Sequence, residues 1–217
     1  MGKENVVVIG LGRFGSSLAK TLSEYGHEVL ALDTNMKMVE NAAEFVTQAA
    51  QVDATDENAL VEMGVRNFDV GVVAMGSDIK SSILVALLLK KLGVKTVIAR
   101  AHDDLHGEIL EKVGADSVVY PDRETGIRVA HALTTPNLVD YMEIMPRYGI
   151  AKVVVPQALS GKRLEEIDLK GRFGIKILIL CRRKEVIVNP SKNEIVNAGD
   201  TLVVTGTDED LKALRAV

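Results

Sequence analysis

The chain has 217 residues, of which 47% are hydrophobic and 26% charged, with a formal net charge of −4 at pH 7. These proportions are typical of a globular protein and predict one large domain or two smaller ones. The acidic balance argues against a nucleic-acid partner, and no apolar run reaches the length of a membrane span. The chain starts without a signal-peptide pattern, and Cys181 is its only cysteine. We therefore expect a cytoplasmic protein without internal disulfides, with Cys181 as a small core residue.

The most informative stretch is V-V-V-I-G-L-G-R-F-G-S at residues 6–16. An apolar run leads into a G-x-G-x-x-G motif, and a helical pattern follows, which is the context in which this motif indicates phosphate binding. We expect Gly10 to allow the tight turn, Gly12 to let the backbone approach a pyrophosphate, and Gly15 to let the helix pack close to the strand. The helix would then direct its free N–H groups and positive dipole end at the phosphates.

A second apolar run, residues 29–32, ends in Asp33. An acid about 20 residues beyond the glycines is expected to hold the ribose hydroxyls. It favours a ribose without a 2′-phosphate, which both NAD and ATP have. The motif therefore predicts a nucleotide and does not choose between these two.

Strand-like and helix-like segments alternate from residue 5 to about residue 133. Strands are predicted at residues 5–9, 28–32, 47–51, 69–74, 96–99 and 117–120. Helices are predicted at residues 14–25, 36–43, 57–63, 80–92, 105–113 and 124–133. Alternation at this spacing predicts a Rossmann-type α/β domain, with a parallel sheet and helices on both of its faces.

Two further strand ends carry polar or small residues. Asp53 follows the third strand, where we expect it near the adenine, and Gly76 and Ser77 follow the fourth, where they would approach the ligand. Ligands of open α/β sheets bind at these carboxyl ends. Turn formation is the alternative for Asp53, and an N-cap role is the favoured interpretation of Asp78.

Two arginines and two histidines are candidates for ligand contacts. Arg13 lies between the glycines, placed to meet a phosphate of its own or of a neighbour's nucleotide, and Arg100 ends the fifth strand. Arg100 could also contact a phosphate, with a solvated surface position as an equal alternative. His102 and His106 have the spacing of a metal pair. Because His102 is predicted to precede its helix and no third ligand is evident, a polar helix start is favoured.

The pattern changes after the sixth helix. Leu138, Met142 and Met145 follow on helical spacing and predict a short apolar helix that serves as a connector or a dimer contact. From residue 150 a smaller α+β domain is predicted. Its strands are expected at residues 153–156, 175–180, 185–188, 195–196 and 201–204, and its helices at residues 162–169 and 208–214. The predicted domains are therefore residues 1–133, a connecting helix at 134–149, and residues 150–217.

Catalytic groups are not evident in this pattern. A dehydrogenase needs a substrate pocket and a proton donor beside the nicotinamide, and the second domain offers neither a histidine nor a nucleophile–base set. Nucleotide binding without catalysis suggests a sensor, in which the nucleotide biases a two-state assembly.

Several motifs together resemble one known family. They are V-V-V-I-G-L-G-R-F-G-S-S-L-A, the strand ending at Asp33, V-D-A-T-D-E-N-A-L, G-V-R-N-F-D, L-E-K-V-G-A-D, the pair Pro121-Asp122, L-S-G-K-R-L-E-E-I-D-L and N-A-G-D-T-L-V-V-T-G. They resemble the cytosolic regulatory subunits of bacterial Ktr and Trk potassium uptake systems, with an N-terminal RCK (KTN) domain and a C-terminal RCK (TrkA-C) domain. The resemblance covers nearly the whole chain.

The resemblance implies a regulatory protein and not an enzyme. Such proteins form homodimers that assemble into a ring, expected to be an octamer, beneath a membrane-embedded potassium translocating subunit. ATP, ADP or NAD(H) binds the N-terminal domain and gates ion flow by changing the ring. By position, Arg13 would reach the γ-phosphate of the neighbouring subunit's ATP. The implied nucleotide contacts are Gly10, Gly12, Arg13, Phe14, Gly15, Asp33, Thr34, Asp53, Ala54, Ala74, Gly76, Ser77 and Arg100.

Two effector sites follow from the same resemblance. Relatives carry Glu after the proline, where it helps to place a divalent cation at the intersubunit phosphates; here Asp122 is one methylene shorter, and a Mg or Ca ion is expected there only on this analogy. Relatives can also bind cyclic di-AMP in the C-terminal domain, for which the matching positions are Lys170, Arg172, Phe173, Ile175 and Pro190. Simple dimer packing is the alternative for these five.

Two other functions compete with the gating hypothesis. An NAD-dependent oxidoreductase or redox sensor would use the same glycine motif. A redox-sensing DNA-binding repressor is disfavoured because neither a helix-turn-helix segment nor a basic face is recognisable.

Overall fold

The computed structural model describes residues 2–76, 78–134 and 137–213. The chain divides into two compact units, residues 1–121 and 122–217. Within the described ranges, no helix has both the length and the apolarity to cross a bilayer. The domain boundaries predicted after residues 133 and 149 remain predictions.

The first unit is a six-stranded parallel sheet with the strand order β3-β2-β1-β4-β5-β6, which confirms the Rossmann-type prediction. Its strands are β1 (Asn5–Ile9), β2 (Glu28–Asp33), β3 (Gln48–Gln51), β4 (Val70–Val73), β5 (Thr96–Arg100) and β6 (Ser117–Val119). The helices between them are α1 (Arg13–Glu24), α2 (Met36–Ala43), α3 (Glu57–Glu62), α4 (Ile79–Lys91) and α5 (Asp104–Lys112).

Both faces of this sheet are buried. Val7 and Ile9 of β1 belong to one core cluster, whereas Val6 and Val8 belong to a second cluster on the opposite face. Continuous apolar strands of this kind are expected where helices cover a parallel sheet on both sides. The order of the strands reverses between β1 and β4, and their carboxyl ends open the crevice in which such sheets bind ligands.

The second unit is an α+β structure, as predicted. Helix α6 (Pro121–Thr134) leads into a five-stranded antiparallel sheet with the order β10-β9-β11-β8-β7. The strands are β7 (Leu138–Met145), β8 (Tyr148–Val154), β9 (Lys176–Arg182), β10 (Glu185–Val188) and β11 (Thr201–Thr207). The unit also contains three short α-helices, α7 (Leu164–Ile167), α8 (Leu169–Phe173) and α9 (Asp208–Ala213), and a 3-10 turn at Gln157–Leu159.

The helix predicted within residues 134–149 is wrong beyond Thr134. Leu138, Met142 and Met145 lie on strand β7, which pairs with β8 in an antiparallel hairpin. Two bulges interrupt this pairing, and each bulge inserts an extra residue that breaks the period-two alternation of a strand. The apolar positions therefore fall four and three residues apart, which imitates helical spacing.

Three smaller predictions in this unit also need correction. The strand at residues 195–196 is a single bridge between Arg163 and Ile195, because these residues bond to the loop before α7 instead of the sheet. The helix predicted at residues 162–169 is divided into α7 and α8 by Asp168, whose φ is 43°. Cys181 is only partly buried and does not belong to the core cluster.

Candidate nucleotide-binding site

The glycine loop joins β1 to α1 in the way its sequence predicts. Gly10 has a φ of 93° and donates its N–H to the Leu32 carbonyl at 2.8 Å, which ties the turn to β2. A Cβ atom on Gly15 would overlap the Gly10 carbonyl oxygen and press on Ala74. Helix α1 therefore approaches the sheet more closely than any residue with a side chain would allow.

Gly12 differs from Gly10 and Gly15 because the fold itself does not require a glycine at this position. It is the N-cap of α1, its φ is −64°, and a Cβ atom at this position would meet nothing within 4 Å. The next amides, those of Arg13, Phe14 and Gly15, have no partner inside the helix. No acidic side chain lies in this first turn. The open space over Gly12 thus lies at the positive end of the α1 dipole, beside free backbone N–H groups. This arrangement suits a phosphate.

Asp33 is fixed at the tip of β2 by two backbone amides. Its Oδ2 accepts from Leu11 N at 2.6 Å, and its Oδ1 accepts from Asn35 N at 2.8 Å. A carboxylate has about four acceptor positions, so both oxygens retain capacity for ribose hydroxyls. The bond to Leu11 joins the ribose side of the site to the glycine loop, and sequence spacing alone does not reveal this link.

The tips of β2 and β3 are joined by side chains. Gln51 Nε2 donates to the Thr34 carbonyl at 2.9 Å, and Ala54 is buried in the core. Asp53 Oδ1 accepts from the hydroxyl of Thr55 at 2.6 Å and from its amide at 3.0 Å. These hydrogen bonds lower the pKa of Asp53. Asp53 therefore performs the turn-forming role weighed in the sequence, and its contact with adenine remains a prediction.

Arg100 extends from the tip of β5 across the tip of β4. A Cβ atom on Gly76 would lie 2.6 Å from the Arg100 Cζ atom, so the guanidinium occupies the space that a side chain would take. The same Cζ lies 6.0 Å from the centre of the Phe14 ring. Arg100 is thus partly buried at the site and not a solvated surface arginine. Ser77 lies outside the described residues.

Helix capping accounts for two of the other polar candidates. Asp78 is the N-cap of α4, where it accepts from Ser81 N at 3.1 Å and from Ser81 Oγ at 2.7 Å, and the latter bond contributes most to lowering the pKa of Asp78. Asp103 caps α5 by accepting from His106 N at 2.8 Å. The favoured interpretations, an N-cap role for Asp78 and a polar helix start around His102 and His106, are therefore correct.

The histidine pair is not arranged as a metal site. His106 is buried, its Nδ1 accepts from the His102 amide at 3.1 Å, and burial lowers its pKa. Over the described ranges, no three His, Cys, Asp or Glu side chains come together in a way that could hold an ion. Asp122 is exposed in the first turn of α6, and its role toward a cation remains a prediction.

Comparison with known proteins gives consistent matches along the chain. The TrkA-N domain model matches residues 6–121, and the TrkA-C domain model matches residues 150–217. Ktr system potassium uptake protein C of Bacillus subtilis is 41% identical over 209 residues, which are 96% of this chain and 95% of that protein. Ktr system potassium uptake protein A of the same organism is 35% identical over 205 residues, covering 94% and 92% of the two chains.

The fold has solved counterparts. The GsuK RCK domain superposes with a TM-score of 0.68 at 20% identity and covers 99% of this chain. This chain spans about half of the GsuK chain, 47% of its length, and at this identity the likeness concerns the fold alone. Since both domain models match and the relatives align over almost their whole length, the chain belongs to the TrkA-N/TrkA-C family that includes the Ktr potassium uptake proteins.

Proposed function

We propose that this chain is the cytosolic, nucleotide-sensing regulatory subunit of a potassium uptake system. The observation that carries the proposal is the open space over Gly12 at the N-terminus of α1. The names of the relatives, which are potassium uptake proteins aligned end to end with this chain, connect that site to ion transport. They favour gating over an oxidoreductase or redox sensor, and we assign no reaction to the chain.

The ligand is a nucleotide with an unmodified adenosine ribose, ATP or ADP in the first place and NAD or NADH as the alternative. The amides at the start of α1 would hold its phosphates, and Asp33 would hold its ribose. Thr34, Asp53 and Ala54 would flank the adenine. Arg13, exposed in the first turn of α1, is available to a neighbouring subunit's γ-phosphate.

Gating requires an assembly with two shapes. We infer that homodimers form a ring, an octamer on the family pattern, that docks on a membrane-embedded potassium translocating subunit at the inner face of the membrane. A nucleotide can shift such an assembly only by binding one shape more tightly than the other. A Mg or Ca ion near Asp122 would assist if it bridges phosphates between subunits.

Cyclic di-AMP is a further effector in this proposal. Lys170 and Arg172 are exposed on α8, and the Arg172 Cζ lies 5.0 Å from the Phe173 ring centre. Pro190 follows β10 and is partly exposed. Ile175, in contrast, is fully buried in the core of the second unit, so it could support such a site only from beneath.

Small-angle scattering of the purified chain without nucleotide, with ATP and with ADP tests the proposal. We expect an assembled particle whose profile differs between ATP and ADP. Three superimposable profiles, obtained at nucleotide concentrations that saturate binding, would contradict a sensing role.

A further inference from the structure

Gly76 lies just beyond strand β4, where the tip of this strand packs against the glycine loop. A Cβ atom on Gly10 would approach Met75 Cγ to 3.0 Å, and one on Gly15 would approach Ala74 Cβ to the same distance. The tip of β4 is therefore a direct neighbour of the loop that we assign to the phosphates. A group placed over this tip lies at the edge of the nucleotide site.

The backbone does not explain why a glycine stands at position 76. Gly76 does not adopt a positive φ, in contrast to Gly10. The three heavy atoms nearest to a Cβ atom on Gly76 would be Cζ, Nη1 and Nε of Arg100, at 2.6, 2.7 and 2.9 Å. Cβ atoms are essentially never found so close to other heavy atoms. The guanidinium of Arg100, and not the conformation of the chain, therefore requires the glycine.

The guanidinium of Arg100 has a second neighbour on the side of α1. Its Cζ lies 6.0 Å from the centre of the Phe14 ring, within reach of a cation–π attraction. Phe14 belongs to the first turn of α1, whose amides have no partner inside the helix. The Nε atom of Arg100 is shielded from solvent. The guanidinium is thus confined between the ring and the tip of β4, beside the helix end assigned to the phosphates.

We propose that Gly76 and Phe14 are positioning residues for Arg100, and that Gly76 acts on nucleotide binding through this arginine and not through contact with the ligand. The inference rests on the proposed function for its ligand and deepens it by stating how the site holds its cation. A guanidinium presents its donors in a rigid planar fork. Its position and orientation therefore decide how well it meets a phosphate.

Displacement of the guanidinium should leave the fold intact. The atoms that would move away from a methyl group at position 76 form the end of a flexible side chain, whereas a Cβ atom on Gly15 would meet the backbone carbonyl of Gly10. Gly76→Ala should therefore unfold thermally close to the wild type, unlike Gly15→Ala. A change in nucleotide affinity in this variant would then come from the arginine.

The placement of Arg100 can be tested without a nucleotide. Phenylglyoxal modifies accessible guanidinium groups, and mass spectrometry of the digested full-length chain gives the rate at each arginine. Arg66, an exposed arginine of the first unit, is the internal reference. Relative to Arg66, we expect Arg100 to react several-fold faster in Gly76→Ala than in the wild type, because the methyl group displaces the guanidinium toward solvent. An unchanged ratio would overturn the placement.

Calorimetric titration with ATP tests the consequence through a double-mutant cycle. Gly76→Ala should weaken ATP binding about tenfold, the equivalent of one hydrogen bond to a charged group. Phe14→Leu keeps an apolar side chain and should weaken binding about threefold through loss of the ring face. In an Arg100→Ala background neither substitution should have a further effect, because the group that they position is gone. Gly126→Ala, whose Cβ atom meets nothing within 4 Å, is the control and should keep the wild-type affinity.

The outcomes separate this inference from the proposed function. A further loss of affinity from Gly76→Ala in the Arg100→Ala background would mean that Gly76 contacts the nucleotide directly, and it would overturn the positioning role. Unchanged ATP affinity in Gly76→Ala alone would overturn it as well, while leaving the sensor intact. An absence of ATP binding to the wild type would refute the sensor, and the modification rates would still decide whether Gly76 holds Arg100 in place.

Discussion

The two sheets of this protein differ in how many of their faces contribute residues to a hydrophobic core. Successive residues of the parallel sheet enter two different core clusters, so both of its faces are covered within the chain. The antiparallel sheet contributes to a single cluster. The parallel sheet is therefore enclosed by its own chain, and the proposed nucleotide contacts lie at the tips of its strands, where loops converge.

Charged groups near loops also differ between the two units. At the glycine loop, the helix end over Gly12 is not neutralised by an acidic residue of its first turn. In the second unit, Arg182 Nη2 donates to Asp200 at 2.8 Å and to the Ile195 carbonyl at 2.6 Å. Arg182 is therefore a structural tie between β9 and the turn before β11, although it adjoins Arg183 and Lys184 in a basic stretch.

The largest loss of stability is expected where helix α1 packs against the parallel sheet. Gly15→Ala should destabilise the first unit by about 3 kcal/mol or more, because its Cβ overlaps backbone that cannot move aside. Gly126→Ala is the matched control, since Gly126 also lies in a helix but faces open space. It should stabilise the second unit by about 0.5 kcal/mol. Thermal unfolding monitored by circular dichroism measures both. Shifts of the same sign in the two variants would contradict the assigned contact.

The second-largest loss of stability is expected when the Arg182–Asp200 ion pair of the second unit is broken. Burial acts to raise the pKa of Asp200, but hydrogen bonds from Arg182 and the Asn197 amide outweigh it and lower that pKa. Arg182→Met leaves a carboxylate in a buried position without its cation and should cost about 2 kcal/mol, less than for a fully buried pair because Arg182 is partly exposed. Arg183→Met, at the neighbouring exposed turn position, is the control and should cost far less in denaturant unfolding.

The Arg182–Asp200 ion pair should also make the stability of the second unit depend on pH in a defined direction. A carboxyl whose folded-state pKa is lowered contributes stability that is present above its unfolded pKa of about 3.9 and is lost as the pH falls. In Arg182→Met the burial effect prevails and raises the pKa of Asp200, so protonation of this carboxyl relieves the variant's destabilisation as the pH falls. The stability difference between the wild type and the variant should therefore shrink on acidification, and a difference that stays constant with pH would mean that Arg182 does not hold the pKa of Asp200 down.

A smaller, pH-dependent effect is expected at His106 in the first unit. Because burial lowers its pKa, the unfolded chain takes up a proton more readily than the folded one. Stability is therefore complete above the unfolded pKa of about 6.5 and falls below it, with a slope of at most about 1.4 kcal/mol per pH unit. His106→Asn keeps an acceptor for the His102 amide and should flatten the profile between pH 7.5 and 5.5. His27→Asn serves as the control, and urea unfolding at several pH values measures the difference.

The smallest effect on folding is expected at Gly12. Gly12→Ala should lower the free energy of unfolding by less than about 1 kcal/mol, because alanine is only modestly worse than glycine at an N-cap and the Cβ meets no atom here. Any loss of nucleotide binding in this variant would therefore come from the site itself. Urea unfolding checks the first statement, and destabilisation as large as that of Gly15→Ala would show that Gly12 also has a packing role.

The features that sequence predicts well depend on local periodicity. The glycine loop, the strand ending at Asp33 and the alternation of strands and helices each leave a short-range pattern, and the parallel sheet follows from them. The position of Arg100 against Gly76 and the bond from Leu11 to Asp33 join distant segments, so spacing does not reveal them. Strand β7 was missed because bulges changed its period.

Calorimetric titration of the wild type and of Gly12→Ala with ATP, ADP, NAD and NADH, each with and without magnesium, tests the central claim most directly. We predict that ATP and ADP bind the wild type, and that affinity falls about tenfold or more in the folded Gly12→Ala variant because its methyl group occupies the phosphate approach. Equal affinity in the two proteins would contradict the site. An absence of nucleotide binding to the wild type would contradict the sensing function itself.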